Sequence, residues 1–381
     1  MESRTEKLGD IADITTGKTP SKRIENAYGN VIKFLTPRDF SGRFSVTTER
    51  MLSDQGYQAV YNQIVSGPSV SVTCIGSDMG KVIYNRESVV TNQQVNTLSN
   101  FKSNVDPLFL YYLLSTKKQE LLSYGAENGS TMPIITKSMF SKLEIKLPSV
   151  KVQRKLVACL SLLDDKIELN QQINKNLLRL AKQQFNLTFP NVHEGNSRLS
   201  DVMENFDRKR IPLARREREK RQGVYRYVGA TSVLDYVDDY LFDGTYLLMG
   251  EDGTVQDEKG FPILQYIWGK FWPNNHTHVL SGTFVSTEWL YLFLMNTNVR
   301  SRITGAVQQK ISQANMNSIP LTIPSKDELF RFQKQIEPVF SQIQLLDEQN
   351  LKLTAIHKLL LPKLLAGQID LSNLEGAIQN A

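Results

Sequence analysis

Basic side chains are concentrated in one segment, RKRIPLARREREKR (208–221). This segment holds eight basic and two acidic residues, so its charge equals the formal net charge of the whole chain, +6, and the rest is close to neutral. Such a cluster indicates an anion contact, and nucleic acid is the usual polyanion. A solvated, partly helical surface with Arg–Glu pairs fits the same residues equally well. The groups that could bind phosphate or guanine are Arg208, Lys209, Arg210, Arg215 and Arg216.

The first half of the chain carries polar side chains that could also contact DNA. A Gly- and Pro-containing loop after a predicted strand suits phosphate contacts, through Lys18, Thr19, Ser21, Lys22 and Arg23. Three consecutive amides, Asn92, Gln93 and Gln94, could bond adenine bidentately in the major groove. Alternation along a strand would turn one of the three inward. The loop at 75–81 is a further candidate, and an ordinary surface turn is the alternative for each segment.

A polar run in the second half, NNHTH (274–278), parallels these amides. Its candidate DNA contacts are Asn274, Asn275, His276 and His278. Two histidines so close could suggest a metal pair, but no nearby Cys or third His supports one, so we expect no metal. Polar DNA contact and hydrogen-bonded strand packing both stay open. Gln308, Gln309 and Lys310, before the final predicted strand, are candidates for base or phosphate contacts.

The sequence lacks the motifs of two enzyme classes. No Asn- or Asp-Pro-Pro-aromatic tetrapeptide of a DNA methyltransferase occurs, and GSDMGKV (76–82) lacks the spacing and the Ser/Thr of a P-loop. Glu144 and Lys146 form an E-x-K pattern with Asp106 upstream, which a metal-dependent nuclease would use. Such short matches often arise by chance. A nuclease is therefore one alternative, and a helical scaffold that does not bind DNA is another.

Length and composition describe an ordinary globular protein. The chain has 381 residues, 40% of them hydrophobic and 22% charged, which predicts about two domains. No apolar run is long enough to cross a membrane, and the first ten residues lack the apolar segment of a secretory signal. The two cysteines, Cys74 and Cys159, exclude a disulfide framework and are predicted to be reduced core thiols. We therefore expect a cytoplasmic protein without membrane contact.

A repeat organises the chain and positions these candidates. Shifting the sequence by 176 places aligns IKLPS (145–149) with LTIPS (321–325) and then pairs Leu156 with Phe332, Leu160 with Ile336, Leu163 with Val339, Ile167 with Ile343, Asn174 with Asn350 and Leu177 with Leu353. Their seven-residue spacing predicts amphipathic helices over 150–187 and 326–365 that pack on each other. The two asparagines would fix the register of that seam, and Pro338 is expected to kink or break the second helix.

The segments before the two helices match more weakly. KLGDIADI (7–14) resembles RLSDVMEN (198–205), and TNQQVNTLS (91–99) parallels PNNHTHVLS (273–281). The predicted fold class is α+β, with two mixed α/β domains in a pseudo-two-fold repeat, separated by two long antiparallel helices that form a coiled coil. The predicted domains are 1–147, a central helix 148–187, a second globule 188–323, and a helix with tail 324–381.

Two similar globules held apart by a helical rod could read two separate stretches of DNA, with the rod setting their spacing. A helix of about 36 residues is roughly 54 Å long, against about 34 Å per turn of DNA. The two stretches should then lie on the order of one to one and a half turns apart. Because the halves differ in sequence, the two stretches should differ as well.

The order of features resembles the specificity subunits of Type I restriction–modification enzymes. The motifs that carry the resemblance are LGDIADITTGKTPS (8–21), LPSVKVQRKLVACLSLLDDKIELNQQI (147–173), YVGATSVLDYVDDYLFDGTYLLMGEDG (227–253), GKFWPNNHTHVL (269–280) and KLLLPKLLAGQIDL (358–371). The resemblance covers essentially the whole chain. It implies two target recognition domains, each reading one half of a bipartite site in double-stranded DNA.

The resemblance also implies partners and cofactors. Its conserved helices dock two methyltransferase subunits, restriction subunits join that core, and the specificity subunit has no catalytic residues. S-adenosylmethionine, ATP and Mg²⁺ are therefore expected on partner subunits, with no cofactor in this chain. One departure is that GKTPS (17–21) has no counterpart in the second half, where FDRKRIPLARRERE (206–219) stands instead. The two domains should therefore approach DNA with different loops.

Overall fold

A computed structural model describes residues 3–126, 132–305 and 308–369. The chain divides into two compact units, one containing residues up to 168 together with those from 351 on, and the other containing residues 169–350. The division runs through the long helices rather than at their ends. The domain boundaries expected from the sequence therefore stay predictions, and the tail from residue 370 lies outside the described residues.

The first unit is built from short strands and helices before one long helix. Its strands are β1 (Ser3–Lys7), β2 (Asp13–Thr16), β3 (Tyr28–Gly29), β4 (Ile32–Leu35), β5 (Arg50–Leu52), β6 (Ser69–Thr73), β7 (Val82–Asn85), β8 (Val89–Thr91), β9 (Val95–Ser99) and β10 (Glu144–Pro148). Its helices are α1 (Leu8–Ile11), α2 (Asp54–Ala59), α3 (Pro107–Ser115), α4 (Lys118–Ala126) and α5 (Lys137–Lys142), followed by α6 (Val150–Thr188), which continues into the second unit.

The second unit follows the same plan. Its strands are β11 (Ser197–Arg198), β12 (Met203–Asn205), β13 (Gln222–Val228), β14 (Val233–Val237), β15 (Phe242–Asp243), β16 (Tyr246–Gly250), β17 (Leu264–Ile267), β18 (Lys270–Pro273), β19 (Thr277–Gly282) and β20 (Pro320–Leu321). Its helices are α7 (Arg215–Lys220), α8 (Thr287–Met295) and α9 (Gln313–Asn317), followed by α10 (Lys326–Leu365), which ends in the first unit.

Sheet topology confirms the repeat. One four-stranded sheet has the order β2-β9-β6-β7 in the first unit and β12-β19-β16-β17 in the second. The other sheet contains β5-β4-β8 in the first unit and β14-β13-β18 in the second, with a parallel pair (β4–β8 and β13–β18) in each. The extra edge strand differs, since β3 flanks β5 whereas β15 flanks β18. The two units are therefore copies of one fold whose edges have diverged.

The long helices contribute to the core of each unit. Leu156 and Leu160 of α6 and Leu364 of α10 join the first core, which includes Phe109 and Tyr112 of α3. In the second unit the aromatic core around α8 takes residues from both helices, namely Ala181, Phe185, Phe332, Ile336 and Phe340. Burial of these side chains fixes the globules on the helices, because each large apolar side chain removed from water contributes about 1.5–3 kcal/mol.

The positions predicted for the helix seam are all buried or half-buried, and four of them join the cores of the globules, so the packing of the whole set between the two helices stays a prediction. Leu156, Leu160, Phe332 and Ile336 are buried, and the remaining predicted positions are half-buried, namely Leu163, Ile167, Asn174, Leu177, Val339, Ile343, Asn350 and Leu353. In the second unit the Nδ2 of Asn174 donates to Asp347 at 2.7 Å, and Gln184 donates to Gln335 at 3.0 Å, so the helices run antiparallel there.

Of the kink or break expected at Pro338, the break was wrong, because α10 runs continuously through it, whereas the kink stays a prediction. Pro338 lies on the exposed face, while Ile336 and Phe340 on either side of it are anchored in the core. Proline removes one N–H donor, and the neighbouring buried side chains hold the helix despite that loss. Asn170, which the sequence alignment did not single out, is fully buried and donates to Asn350 at 2.9 Å.

Within the described ranges, none of the helices is both long and apolar enough to span a membrane.

Candidate nucleic-acid interface

Three loops that the sequence singled out in the first unit meet at one cleft of about 430 Å³. Thr19 comes from the first loop, Ser77 and Asp78 from the second, and Asn92 and Gln94 from the amide run. The full lining is Thr19, Tyr28, Phe34, Thr36, Pro37, Arg38, Glu49, Arg50, Ile75, Gly76, Ser77, Asp78, Asn92, Gln94 and Met132. A lining that mixes apolar, polar and charged side chains suits recognition of base edges.

The amide run is divided between structure and surface. Asn92 is buried, and its Oδ1 accepts a hydrogen bond from the Gln94 backbone N–H at 3.1 Å while its Nδ2 donates to Gln94 Oε1 at 2.9 Å. Gln93 is exposed, and its Oε1 accepts from the Thr19 hydroxyl at 2.7 Å. Asn92 therefore shapes the turn, while Gln93 presents its amide outward.

The loop that carries Thr19 is fixed at its base and exposed along its length. The Lys18 backbone N–H donates to Thr91 O at 2.9 Å, and a Cβ at Gly17 would lie 2.2 Å from the same oxygen, so only glycine allows this approach. Lys18, Ser21, Lys22 and Arg23 are exposed beyond that point. Cations and small donors on an exposed loop can bind phosphates.

Two arginines at the cleft, Arg38 and Arg50, were missed by sequence reasoning. Arg50 lies over the Tyr28 ring, with its guanidinium carbon 5.4 Å from the ring centre. Asp39 links the two segments that carry these arginines, because its carboxylate accepts hydrogen bonds from the backbone N–H groups of Thr36 and Glu49, both at 2.7 Å. Neither arginine belongs to a basic cluster or a motif in the sequence. Only the fold brings them to the cleft.

In the second unit the basic segment separates into outward and inward side chains. Arg208, Lys209, Arg215 and Arg216 are exposed, and Arg215 pairs with Glu219 at 3.1 Å on α7. Arg210 instead turns inward, donating to Glu251 at 2.7 Å and to Thr277 O at 2.6 Å. Arg210 therefore anchors the segment to Glu251 and Thr277, while the other four side chains can contact a polyanion.

The turn before β19 repeats the turn of the first unit. Asn274 is buried, and its Oδ1 accepts from the His276 N–H at 3.0 Å, just as Asn92 accepts from Gln94. Asn275 and His276 are exposed, and His276 Nδ1 lies 2.5 Å from Asp252. The buried asparagine therefore forms the turn in both copies, and the residue after it points outward.

Beneath this turn lies a charged cluster. His278 is 1% exposed, with Nδ1 2.6 Å from Asp207 Oδ2, and Arg210 and Lys310 pair with Glu251 at 2.7 and 3.3 Å. Burial raises the pKa of the Asp207 carboxyl, but the hydrogen bond and charge of His278 outweigh it, so this pKa is lowered. Asp207, Glu251 and His278 are close enough together to hold a metal ion. Their donors and acceptors are nevertheless already matched to one another and to the two cations.

The predicted loop before the last strand reaches the same surface. Gln308, Gln309 and Lys310 are all exposed. The Gln309 carbonyl accepts from the Gly253 N–H at 2.9 Å, and Gln309 Oε1 accepts from Gln256 at 3.3 Å. The second-unit candidates on this loop and near Asn275 therefore share one network with the base of the basic segment.

One residue of the nuclease pattern has a structural role in the fold. Asp106 Oδ1 accepts from the backbone N–H groups of Leu108 and Phe109 at 2.9 and 3.0 Å, which makes it the N-cap of α3. Glu144 and Lys146 lie on β10, whose partner is β1. Cys74 is no better placed as a nucleophile, because burial raises the pKa of its thiol to about 12.

Two copies of one α+β unit, each with a buried asparagine turn and exposed polar or basic loops, define a duplicated DNA-recognition protein. The chain belongs to the family described as "Type I restriction modification DNA specificity domain", whose model matches residues 2–179 and 193–355. The two separate matches agree with the duplication in the fold.

Relatives carry the same description. The chain is 23% identical to the Type I restriction enzyme MjaIX specificity subunit of Methanocaldococcus jannaschii, over 97% of this chain and 94% of that one. It is 29% identical to the HindI specificity subunit of Haemophilus influenzae over 51% of this chain and 43% of that one. The crystal structure of the S subunit from M. genitalium has the same fold, with a TM-score of 0.54, 15% identity and 96% coverage of both chains.

Proposed function

We propose that this chain is the non-catalytic DNA-reading subunit of a Type I restriction–modification complex, and that each unit reads one half of a bipartite target. The observation that carries the proposal is the duplicated unit with diverged exposed loops. Neither alternative from the sequence gains support, because the nuclease candidate Asp106 caps a helix, and a scaffold without DNA contact would not need the exposed cations of 208–216.

The two units would read DNA differently. The first offers a cleft with Thr19, Gln93, Arg38 and Arg50 at its walls or rim, which suits hydrogen bonding to base edges. The second offers the exposed Arg208 and Lys209 next to Arg210, whose side chain reaches the Asn275 carbonyl at 3.3 Å, and the exposed Arg216 on α7. These groups suit phosphate contact together with base reading. Since α6 and α10 each run from one unit into the other, we propose that they set a fixed spacer between the half-sites.

We further propose that the long helices dock two methyltransferase subunits, to which restriction subunits add. Each helix has exposed apolar side chains at positions related by the repeat. Leu169 and Leu180 of α6 are 49% and 55% exposed, and their equivalents Leu345 and Ile356 of α10 are 59% and 44% exposed. On an ideal helix this docking stripe lies roughly 130° around from the seam. A face that occurs twice suits two copies of one partner. S-adenosylmethionine, ATP and Mg²⁺ would bind to the partner subunits.

Neutralising three exposed cations tests the DNA contact. We expect Arg208→Ala/Lys209→Ala/Arg216→Ala to weaken DNA binding by about 10- to 100-fold at moderate salt. Each phosphate contact that is lost should also flatten the slope of log affinity against log salt by about one unit. Fluorescence anisotropy across a salt series, with the full chain in complex with its methyltransferase subunits, measures both quantities.

The matched control is Lys151→Ala/Lys175→Ala/Arg179→Ala, which removes three exposed cations from α6. This control should change the salt slope much less, because those side chains lie outside the proposed reading surfaces. Equal slopes in the two triple variants would contradict DNA contact by the basic segment.

A further inference from the structure

His278 stands out because both of its ring nitrogens face acceptors. Nδ1 lies 2.6 Å from Asp207 Oδ2, and Nε2 lies 2.9 Å from the carbonyl oxygen of Ile311. A carbonyl oxygen and an ionised carboxylate can both accept hydrogen bonds but cannot donate them. The Asp207 Oδ1 already accepts from the Val279 N–H at 2.9 Å. Both hydrogen bonds of His278 therefore need a doubly protonated ring.

The charges around the ring come from three other segments. Glu251, in the loop after β16, has Oε2 3.9 Å from His278 Nδ1. Arg210 lies 3.6 Å from the Asp207 carboxylate and 2.7 Å from that of Glu251. Lys310 approaches Glu251 from outside at 3.3 Å, with 49% of its side chain exposed. The half-buried Arg210 and the buried ring of His278 thus face the carboxylates of Asp207 and Glu251.

This cluster lies under three segments that carry exposed candidates for DNA contact. Asp207 immediately precedes Arg208 and Lys209. The Glu251 N–H donates to the His276 carbonyl at 3.0 Å, which ties the Asn275 turn to the cluster. Ile311, which accepts from the ring, directly follows Lys310. Loss of either ring hydrogen bond would loosen the support of these segments.

The first unit has a neutral group at the equivalent place. The parallel between 91–99 and 273–281 aligns Asn96 with His278. Asn96 Nδ2 donates to the Ile135 carbonyl at 3.5 Å, and its Oδ1 accepts from the Thr16 hydroxyl at 2.6 Å. Neither the amide nor the hydroxyl changes charge near neutral pH. In the first unit, Asn96 therefore makes hydrogen bonds like those of His278 with a side chain that does not titrate.

We propose that His278, as an imidazolium, is a positioning residue that holds the second unit's reading surface in place and makes its DNA binding depend on pH. Binding would be strongest while the ring keeps both protons and would fall as the pH rises and one is lost. Binding by the first unit would not follow this change. The proposal rests on the function proposed above, because it assumes that both units contact DNA.

The test compares wild type with His278→Asn, which copies Asn96, each as the full chain in complex with its methyltransferase subunits. The probe is a duplex selected from random DNA by the wild-type complex at about pH 7. Between about pH 6.5 and 9.5, at constant ionic strength, we expect wild-type affinity to fall by about 10-fold or more, the size of one lost charged hydrogen bond. The His278→Asn complex should change by less than about 3-fold, whatever its starting affinity.

Parallel pH curves for the two complexes would overturn the role of His278 while leaving the proposed function intact. Failure of the wild-type complex to select any duplex would instead overturn the proposed function. Because His278→Asn could fold poorly, a second measurement uses the wild-type chain. Because the chain has only four histidines, ¹⁵N NMR can resolve the signals of their ring nitrogens. Two ring protons on His278 at about pH 7 are expected, and one bare nitrogen there would refute the proposal.

Discussion

Replacing Arg43 by alanine is expected to lower the free energy of unfolding of the first unit by about 2 kcal/mol, since it removes a buried guanidinium that hydrogen-bonds to partly exposed carboxylates. The Arg43 side chain is only 4% exposed and bonds to Asp165 and, at 3.2 Å, to Glu168, both on α6. Asp164 lies 3.7 Å away and accepts from the Tyr112 hydroxyl at 2.7 Å. Without the guanidinium, three carboxylates would face one another.

Urea-induced unfolding measures this loss. The matched control is Arg38→Ala, whose side chain is 80% exposed and 3.9 Å from Glu49, and which should cost less than about 0.5 kcal/mol. A similar small cost for both variants would show that Arg43 does not anchor the first globule to α6.

Placing glutamate on the docking stripe is expected to remove partner subunits one at a time. Leu169→Glu/Leu180→Glu should abolish docking on α6 and leave the equivalent α10 face, so that one methyltransferase subunit remains bound instead of two. Burial of a leucine side chain contributes about 1.5–3 kcal/mol, so two charged replacements should weaken association by about 100-fold or more. Sedimentation analysis of the co-expressed complex gives the stoichiometry.

Lys175→Glu/Arg179→Glu is the control for this pair. Both of its positions are exposed on α6, roughly 90–130° around the helix from the stripe. The control introduces the same number of glutamates and should keep two partners bound. Docking elsewhere is indicated if the stripe variant also retains two partners, or if both variants lose them equally.

Local periodicity was enough to predict the long helices and their duplication. The seven-residue spacing from Leu156 to Leu177 places apolar side chains on one face whatever the globules do, and α6 and α10 begin and end within one residue of the predicted bounds. Asn170 could also have been found, because it follows Ile167 by the three-residue step of the same seam. It was missed because it is polar whereas the residue aligned with it by the repeat, Leu346, is apolar.

The contacts of the candidate site and of the Arg43 ion pair could not be predicted in the same way. Arg43 and Asp165 are more than a hundred residues apart in sequence, and His278 meets Asp207 from another segment of the fold. Residue type alone also could not show that Asn92 is a buried turn residue and Gln93 an exposed one, because both side chains are amides that accept hydrogen bonds. These pairings depend on the tertiary fold, which local patterns do not encode.

Mapping modified bases across the genome of cells that carry this system tests the central claim most directly. Two dissimilar reading units predict one motif made of two different half-sites. An unread gap of constant length should separate them, with the half-sites on the order of one to one and a half DNA turns apart. A single uninterrupted motif, two identical half-sites, or a gap that varies from site to site would contradict the account.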